Sequence, residues 1–205
     1  MALYRDVVFP RIVNLVMNTE SSREIRQRVC AGLAGEVVEI GFGTGHNLPF
    51  LPAEVTRLRA VDPMRTGAKL AAGRIAASPV QVEMAGLDGQ RLPFEDESAD
   101  AVLSTWTLCS IPDAVAALRE VRRVLKPGGT LHFVEHGRAP DEGVARWQDR
   151  LNPIQNVVSV GCNLNRDIPA LIEAAGLKID RLEAQYTKGE PRIVGWTYEG
   201  VASPA

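Results

Sequence analysis

The stretch VVEIGFGTGHNLPFLP, residues 37–52, constrains the fold more than any other part of the chain. A short apolar run ends at Glu39 and Ile40, and glycines follow at positions 41, 43 and 45. Glycine allows a sharp turn and lets a ligand approach the backbone closely. A buried strand that runs into such a loop is typical of α/β proteins, which bind ligands beyond the carboxyl ends of their strands.

Helical and strand patterns alternate from residue 20 to residue 137. Short apolar strands are predicted at 35–40, 57–63, 80–86, 101–105 and 130–137. Helices are predicted at 19–33, 46–52, 64–78 and 113–129, the first capped by Thr19 or Ser21 and the last by Asp113. This alternation predicts βαβ units and a parallel sheet covered by helices on both faces.

The two ends of the chain differ from this core. Two short helical pieces are expected around Pro10, because proline does not continue a helix cleanly. Near the other end, a helix at 167–177 precedes an apparent antiparallel pair of strands, 178–187 and 192–201. We therefore predict one α/β domain, 1–205, with a doubly wound, mostly parallel seven-stranded sheet and an antiparallel last strand.

Composition excludes several classes of protein. The net charge is −2, so the basic bias of a nucleic-acid binder is missing. Three cysteines far apart indicate reduced thiols and a cytoplasmic location rather than a disulfide framework. No apolar run is long enough for a membrane span, and the N-terminal residues lack a signal-peptide layout. The three histidines show no ligand spacing with a cysteine pair, so no metal site is predicted.

The charges around the glycine loop favour one ligand. The spacing is G-x-G-x-G, with His46 where a dinucleotide site has its third glycine. Asp62 ends the second strand about 20 residues further on, where a carboxylate accepts from ribose hydroxyls. Glu39 precedes the loop, and no Lys or Arg lies between residues 37 and 56 to meet a pyrophosphate. A ligand with a sulfonium, an ammonium and a ribose fits better, and S-adenosylmethionine is that ligand.

A further motif, LDGQRLPFEDESADAVLSTWTLCSIPD at 87–113 followed by LREVRRVLKPGG, strengthens this interpretation. Residues 35–137 resemble the class I S-adenosylmethionine-dependent methyltransferases, in the small-molecule branch that includes ubiquinone and menaquinone enzymes. The resemblance implies a Rossmann-like fold and S-adenosylhomocysteine as product. We predict that an N-terminal helical lid (1–34) precedes the cofactor-binding core (35–137), and that a substrate-side region with the C-terminal strands (138–205) follows it. The predicted cofactor-binding residues are Glu39, Gly41, Gly43, Gly45, Asn47, Asp62, Pro63, Met64, Leu87, Asp88, Thr105 and Trp106.

A narrower resemblance lies downstream. STWTLCSI, FVEHG and GCNLNRDIPALIEAAGL are similar to segments of the methyltransferase-like seven family, whose animal members are membrane-anchored thiol S-methyltransferases. Bacterial relatives are commonly labelled phospholipid N-methyltransferases. The resemblance therefore implies a small-molecule acceptor, first a thiol, then a phospholipid or other amine, then a quinone-like O or C acceptor. Peripheral membrane contact is the most that residues 3–17 suggest.

Several residues are candidates for the acceptor side. His136 closes the fifth strand and is the predicted general base, with simple hydrogen bonding to a neighbour as the alternative. Tyr4 and Cys162 are predicted near the substrate, although a buried cysteine is also an ordinary small apolar residue. Trp106 is either a pocket wall or a lid over the methyl group. A catalytically silent S-adenosylmethionine-binding module remains the non-enzyme alternative, and the sequence leaves the oligomeric state open.

Overall fold

The protein is described here by a computed structural model that covers residues 3–205, with backbone alone at residue 65. The seven strands are β1 (Gly35–Ile40), β2 (Val55–Val61), β3 (Gln81–Gly86), β4 (Ala99–Thr105), β5 (Leu125–His136), β6 (Leu177–Tyr186) and β7 (Trp196–Pro204). The helices are α1 (Phe9–Val16), α2 (Glu20–Cys30), α3 (Arg65–Ala77), α4 (Ala114–Val124), α5 (Glu142–Val158), α6 (Ile168–Ala174) and α7 (Arg192–Gly195). A π-helical turn, Tyr4–Val8, precedes α1, and a 3-10 turn, Leu48–Phe50, follows the glycine loop.

One sheet contains all seven strands in the order β3-β2-β1-β4-β5-β7-β6. The first five strands pair in parallel, and β7 runs antiparallel between β5 and β6. The chain reverses its lateral direction between β1 and β4, which places the expected ligand crevice at the carboxyl ends of these two strands. The predicted doubly wound, mostly parallel sheet is confirmed.

Apolar side chains fill both faces of the sheet. On one face Leu118 and Val121 of α4 and Ile172 of α6 pack with strand residues such as Phe133. On the other face Ile25 and Val29 of α2 and Ala71 of α3 pack with residues such as Leu58 and Leu103. Because both faces are covered, the strands carry near-continuous apolar runs, as the sequence pattern indicated.

The N-terminal helices lie against the glycine-loop side of the core. Two side chains near the glycine loop contact Asn14 of α1. His46 Nε2 lies 3.1 Å from the carbonyl oxygen of Asn14, and Arg74 Nη1 donates to Asn14 Oδ1 at 3.2 Å. The hydroxyl of Tyr4 donates to the carbonyl of Val158 at 2.8 Å. The predicted lid at 1–34, whose first two residues lie outside the described range, thus touches both the cofactor loop and the end of α5.

Three element boundaries differ from the prediction. Helix α4 ends at Val124, and Leu125 already pairs with Ala99 in the sheet, so Lys126–Gly129 belongs to a strand irregularity instead of a helix end. Residues 192–195 form the short helix α7 before β7 begins. The segment 46–52 forms only the 3-10 turn, because its two prolines lack the amide hydrogens that a longer helix needs.

Two predicted helix caps are confirmed. Thr19 caps α2 by accepting from the amide of Ser22, and Asp113 caps α4 by accepting from the amide of Ala116. Cys30 is buried in the core. Across residues 3–205, no helix is both long enough and apolar enough to cross a lipid bilayer.

Candidate active site

The glycine loop passes close to the end of β4. Gly41 has φ +75°, and a Cβ atom there would overlap the side chain of Thr107. Only glycine accepts both the left-handed backbone and this close approach at low cost. The glycine loop therefore lies against the end of β4. This brings together the predicted cofactor-binding residues at the ends of β1 and β4.

Asp62 fastens the loop to the end of β2. Its carboxylate accepts from the amide of Gly43 at 2.7 Å and from the amide of Met64 at 2.7 Å. The side chain is buried, and burial raises its pKa despite these two amide donors. Each carboxylate oxygen keeps further acceptor capacity, so the same group can also receive ribose hydroxyls.

A buried polar network lies between the glycine loop and the β4 end. The amide of Asn47 donates to Glu39 Oε1 at 2.7 Å and contacts Thr105 Oγ1 at 3.0 Å. Arg26 of α2 donates to Asn47 Oδ1 at 2.5 Å, and its guanidinium lies 4.8 Å from the ring centroid of Trp106. Asn47 is thus a network member and not a local helix cap. Arg26 is an addition to the predicted set.

Glu39 is the most perturbed group of this network. The side chain is fully buried, and burial raises its pKa to about 8, against the opposing effects of Asn47 and Arg26. Its Oε2 atom has no hydrogen-bond partner within residues 3–205. An unpaired buried acceptor is costly, so the site is suited to a cationic or hydrogen-bond-donating group.

Trp106 has an uncommon backbone. Its φ is +50°, and its amide donates to the carbonyl of Val134 on β5 at 2.7 Å. A bulky residue in the left-handed region is strained by about 1–3 kcal/mol, and such strain is concentrated at functional sites. This backbone conformation turns the chain sharply after β4. The indole of Trp106 is partly exposed there and lies beside Arg26.

A second buried carboxylate braces the same turn. Glu135 Oε1 accepts from Ser104 Oγ at 2.8 Å and from the amide of Thr107 at 2.9 Å. Its Oε2 is without a partner within the described chain, and burial raises the pKa of this carboxyl. Glu135 was not singled out from the sequence, because an acid inside an apolar strand carries no spacing pattern.

His136, at the end of β5, lies in a cluster with two cysteines. Its Nε2 is 3.0 Å from Cys162 Sγ, and the ligand atoms of Cys109, His136 and Cys162 all lie within 4.8 Å of one another. The contact with Cys109 and burial raise the pKa of the Cys162 thiol, so this sulfur stays protonated at neutral pH. The fold brings together His136 and Cys162, which were each predicted on the acceptor side, and it adds Cys109.

Comparison with known proteins identifies the family. A family profile described as "Methyltransferase domain" matches residues 38–133. Thiol S-methyltransferase TMT1A of Homo sapiens is 34% identical over 177 residues, which cover 81% of this chain and 72% of the human protein. The chain therefore belongs to the methyltransferase family. It uses S-adenosylmethionine as the methyl donor, as the sequence analysis predicted.

One further relative and one solved structure are also similar to this methyltransferase. Demethylmenaquinone methyltransferase of Clavibacter sepedonicus is 32% identical over 135 residues, or 65% of this chain and 55% of that protein. The solved structure of a geranyl diphosphate methyltransferase in complex with SAM superposes with a TM-score of 0.71 at 14% identity, covering 96% of this chain and 90% of that chain. At this low identity the structural likeness shows the fold alone.

Not every predicted site residue joins the methyltransferase's central network. Leu87 and Asp88 are exposed in the loop after β3, where Asp88 accepts from the amide of Gln90 at 2.8 Å. His46 contacts α1, and burial lowers its pKa to about 4. His132 contacts the carbonyl oxygen of Val29 through Nδ1 at 2.9 Å, as expected of a structural residue.

A cleft of about 160 Å³ opens elsewhere on the methyltransferase, between α2 and the β6-β7 pair. Its lining includes the ion pair of Arg28 and Glu199, whose nearest atoms are 2.8 Å apart. None of the predicted site residues lines this cleft.

Proposed function

We propose that the methyltransferase transfers the methyl group of S-adenosylmethionine to a small thiol. The observation that carries this acceptor is the 34% identity to human thiol S-methyltransferase TMT1A across 81% of the chain. The site supports it, because soft sulfur and imidazole groups line the region beside the β4 end.

The cofactor is proposed to lie along the carboxyl ends of β2, β1 and β4. Asp62 would accept from the ribose hydroxyls. Pro63 and Met64 after β2, with Leu87 and Asp88 after β3, would surround the adenine. The methionine half would lie over Gly41, Gly43 and Gly45. Glu39, Asn47, Thr105 and Trp106 would then surround its ammonium and sulfonium groups.

The transfer is an in-line displacement. The acceptor sulfur attacks the methyl carbon, the carbon–sulfur bond to the sulfonium breaks, and S-adenosylhomocysteine leaves. The protein supplies alignment and a water-poor pocket, with Trp106 as a wall and Tyr4 and the N-terminal helices as a cover. His136 is the proposed acceptor of the thiol proton, because a thiolate is the reactive form of the nucleophile.

A methylation assay tests the proposal. The protein is incubated with S-adenosylmethionine and a small alkyl thiol, and mass spectrometry follows the methyl thioether and S-adenosylhomocysteine together. Parallel reactions contain phosphatidylethanolamine or a demethylated menaquinol, since the Clavibacter relative favours a quinone-type carbon acceptor as the second candidate. Methyl transfer only in the amine or quinol reactions would refute the thiol proposal. Cofactor binding without any product would favour a silent binding module.

A further inference from the structure

Two cysteine thiols and one histidine imidazole from separate parts of the chain lie close together. Cys109 lies in the turn after β4, His136 ends β5, and Cys162 follows α5. Both cysteines are buried, whereas His136 is partly exposed. Thiols are weak hydrogen-bond donors, so the convergence of two of them on one imidazole gains little from hydrogen bonding alone.

Two thiolates and an imidazole are ligands that zinc prefers. In a tetrahedral zinc site with Zn–S bonds of about 2.3 Å, neighbouring ligand atoms are about 3.5–3.8 Å apart. The separations here run from 3.0 Å for His136 Nε2 and Cys162 Sγ up to a limit of 4.8 Å. These values bracket the tetrahedral ones, so side-chain movements of about 1 Å or less would complete the site.

We propose that Cys109, His136 and Cys162 bind one Zn²⁺ ion and leave its fourth position open. Binding converts each cysteine thiol to a thiolate, and up to two protons leave to solvent while the neutral imidazole contributes its lone pair. The resulting unit of one divalent cation and two thiolates is neutral. Three protein ligands with an open position are the arrangement of catalytic rather than structural zinc.

Charges of both signs lie near the cluster: the Glu135 and Glu190 carboxyls face His136, and Arg166 lies beside Cys109. The guanidinium of Arg166 donates to the carbonyls of Leu108 and Pro112, which lie on either side of Cys109 in the chain. A thiolate in the fourth position would give the site a charge of −1, which this cation partly balances. Aspartate or glutamate carboxylates do not belong to the three-ligand cluster.

The identity of the fourth ligand rests on the proposed function. An acceptor thiol that binds zinc does so as the thiolate and releases its proton to solvent. With zinc bound, His136 would be a metal ligand and would not take the thiol proton itself, so the general-base role given above applies to the metal-free protein. This bound sulfur would attack the methyl carbon as the bond from that carbon to the sulfonium sulfur breaks, and the thioether formed would dissociate because a thioether is a weaker ligand than a thiolate.

Metal binding is measured first, without any methyl transfer. The full chain is stripped of metal with a chelator, kept reduced with a phosphine, and titrated with Co²⁺ as an optical probe. We expect one Co²⁺ per chain, with thiolate charge-transfer absorption and the intense visible bands of four-coordinate cobalt. Absence of binding at micromolar Co²⁺ would overturn the proposal.

Matched variants locate the site. Cys162→Ser is expected to weaken Co²⁺ binding by more than the roughly 100-fold that loss of an outer-shell partner costs. Cys30→Ala, which changes a buried cysteine outside the cluster, is expected to leave binding unchanged. Retained S-adenosylmethionine affinity shows that a variant has folded. Binding that Cys162→Ser leaves intact would refute the assignment.

Two measurements on the unaltered protein test the proposal even if the variants fail to fold. Zn²⁺ binding to the metal-free protein should release up to two protons per ion into weakly buffered solution, and binding without proton release would refute thiolate ligation. Adding 2-mercaptoethanol to the cobalt protein should shift its visible bands, and unchanged bands would refute an open position for thiols. A shift without methyl thioether formation would refute thiol methylation while supporting the metal site.

Discussion

Replacing Glu39 by glutamine tests whether a buried, ionisable carboxyl governs cofactor binding. Glutamine keeps an oxygen that can accept from Asn47, but it carries no charge at any pH. Burial raises the pKa of Glu39 from 4.5 to about 8. In the proposed site the cofactor's ammonium group would pair with this carboxylate, so binding at neutral pH would have to remove a proton from the Glu39 side chain.

The size of the effect follows from that pKa. At pH 6 the carboxyl is protonated about 99 times in 100, so the affinity for S-adenosylmethionine is on the order of 100-fold lower than at pH 9. Calorimetric titration between pH 6 and 9 measures this difference. The ligand itself titrates in the same way with the wild type and with the Glu39→Gln variant. The difference between their two profiles of affinity against pH is therefore due to Glu39. Identical profiles would refute the reasoning.

The same carboxyl makes folding depend on pH. Below pH 4.5 it is protonated in both the folded and the unfolded chain, and its contribution to stability is fully present. Between pH 4.5 and about 8 the unfolded chain releases a proton that the folded protein keeps, so this contribution is lost as pH rises. The loss is at most about 5 kcal/mol. Denaturant unfolding should therefore show Glu39→Gln gaining stability relative to the wild type across this range.

Four other outcomes are expected. Asp62→Ala should weaken S-adenosylmethionine binding by about 1 kcal/mol or more in a calorimetric titration, and unchanged affinity would remove Asp62 from the ribose site. Gly41→Ala should abolish cofactor binding because of its clash and its φ of +75°, whereas Gly73→Ala, with open space around it on α3, should bind normally. His136→Gln should lower turnover about 100-fold with cofactor affinity within about twofold, and full activity would exclude any role in acceptor activation. Deleting residues 1–17 should lower turnover in steady-state assays, and wild-type kinetics from a folded deletion would show simple packing.

Sequence periodicity was sufficient for the succession of strands and helices along the chain and for the glycine loop. The alternation of apolar strands with helices has a physical cause, since a parallel sheet needs a helix in each crossover. It failed at the end of α4, where KPGG suggests a helix stop near Pro127. In the sheet Leu125 pairs with Ala99 and Thr130 with Ala101, so the intervening residues form an irregular excursion that local propensity does not encode.

The active-site network was harder to predict, because its members are distant in sequence. Arg26 occupies a position on an amphipathic helix where an arginine is normally solvated, yet it is 5% exposed and bonded to Asn47. Cys109, His136 and Cys162 have no short spacing that would suggest a common ligand. Only the lateral order of the strands and the return of the chain after α5 bring them together.

The position of β7 inside the sheet has a consequence for synthesis. This strand lies between β5 and β6, although both precede it in the chain. Until residues 196–204 have been made, β5 has an unpaired edge and β6 has no strand to join, so the sheet cannot close during translation. A nascent chain halted before Trp196 would therefore present the open edge of β5 and the unpaired strand β6 to chaperones or to other chains.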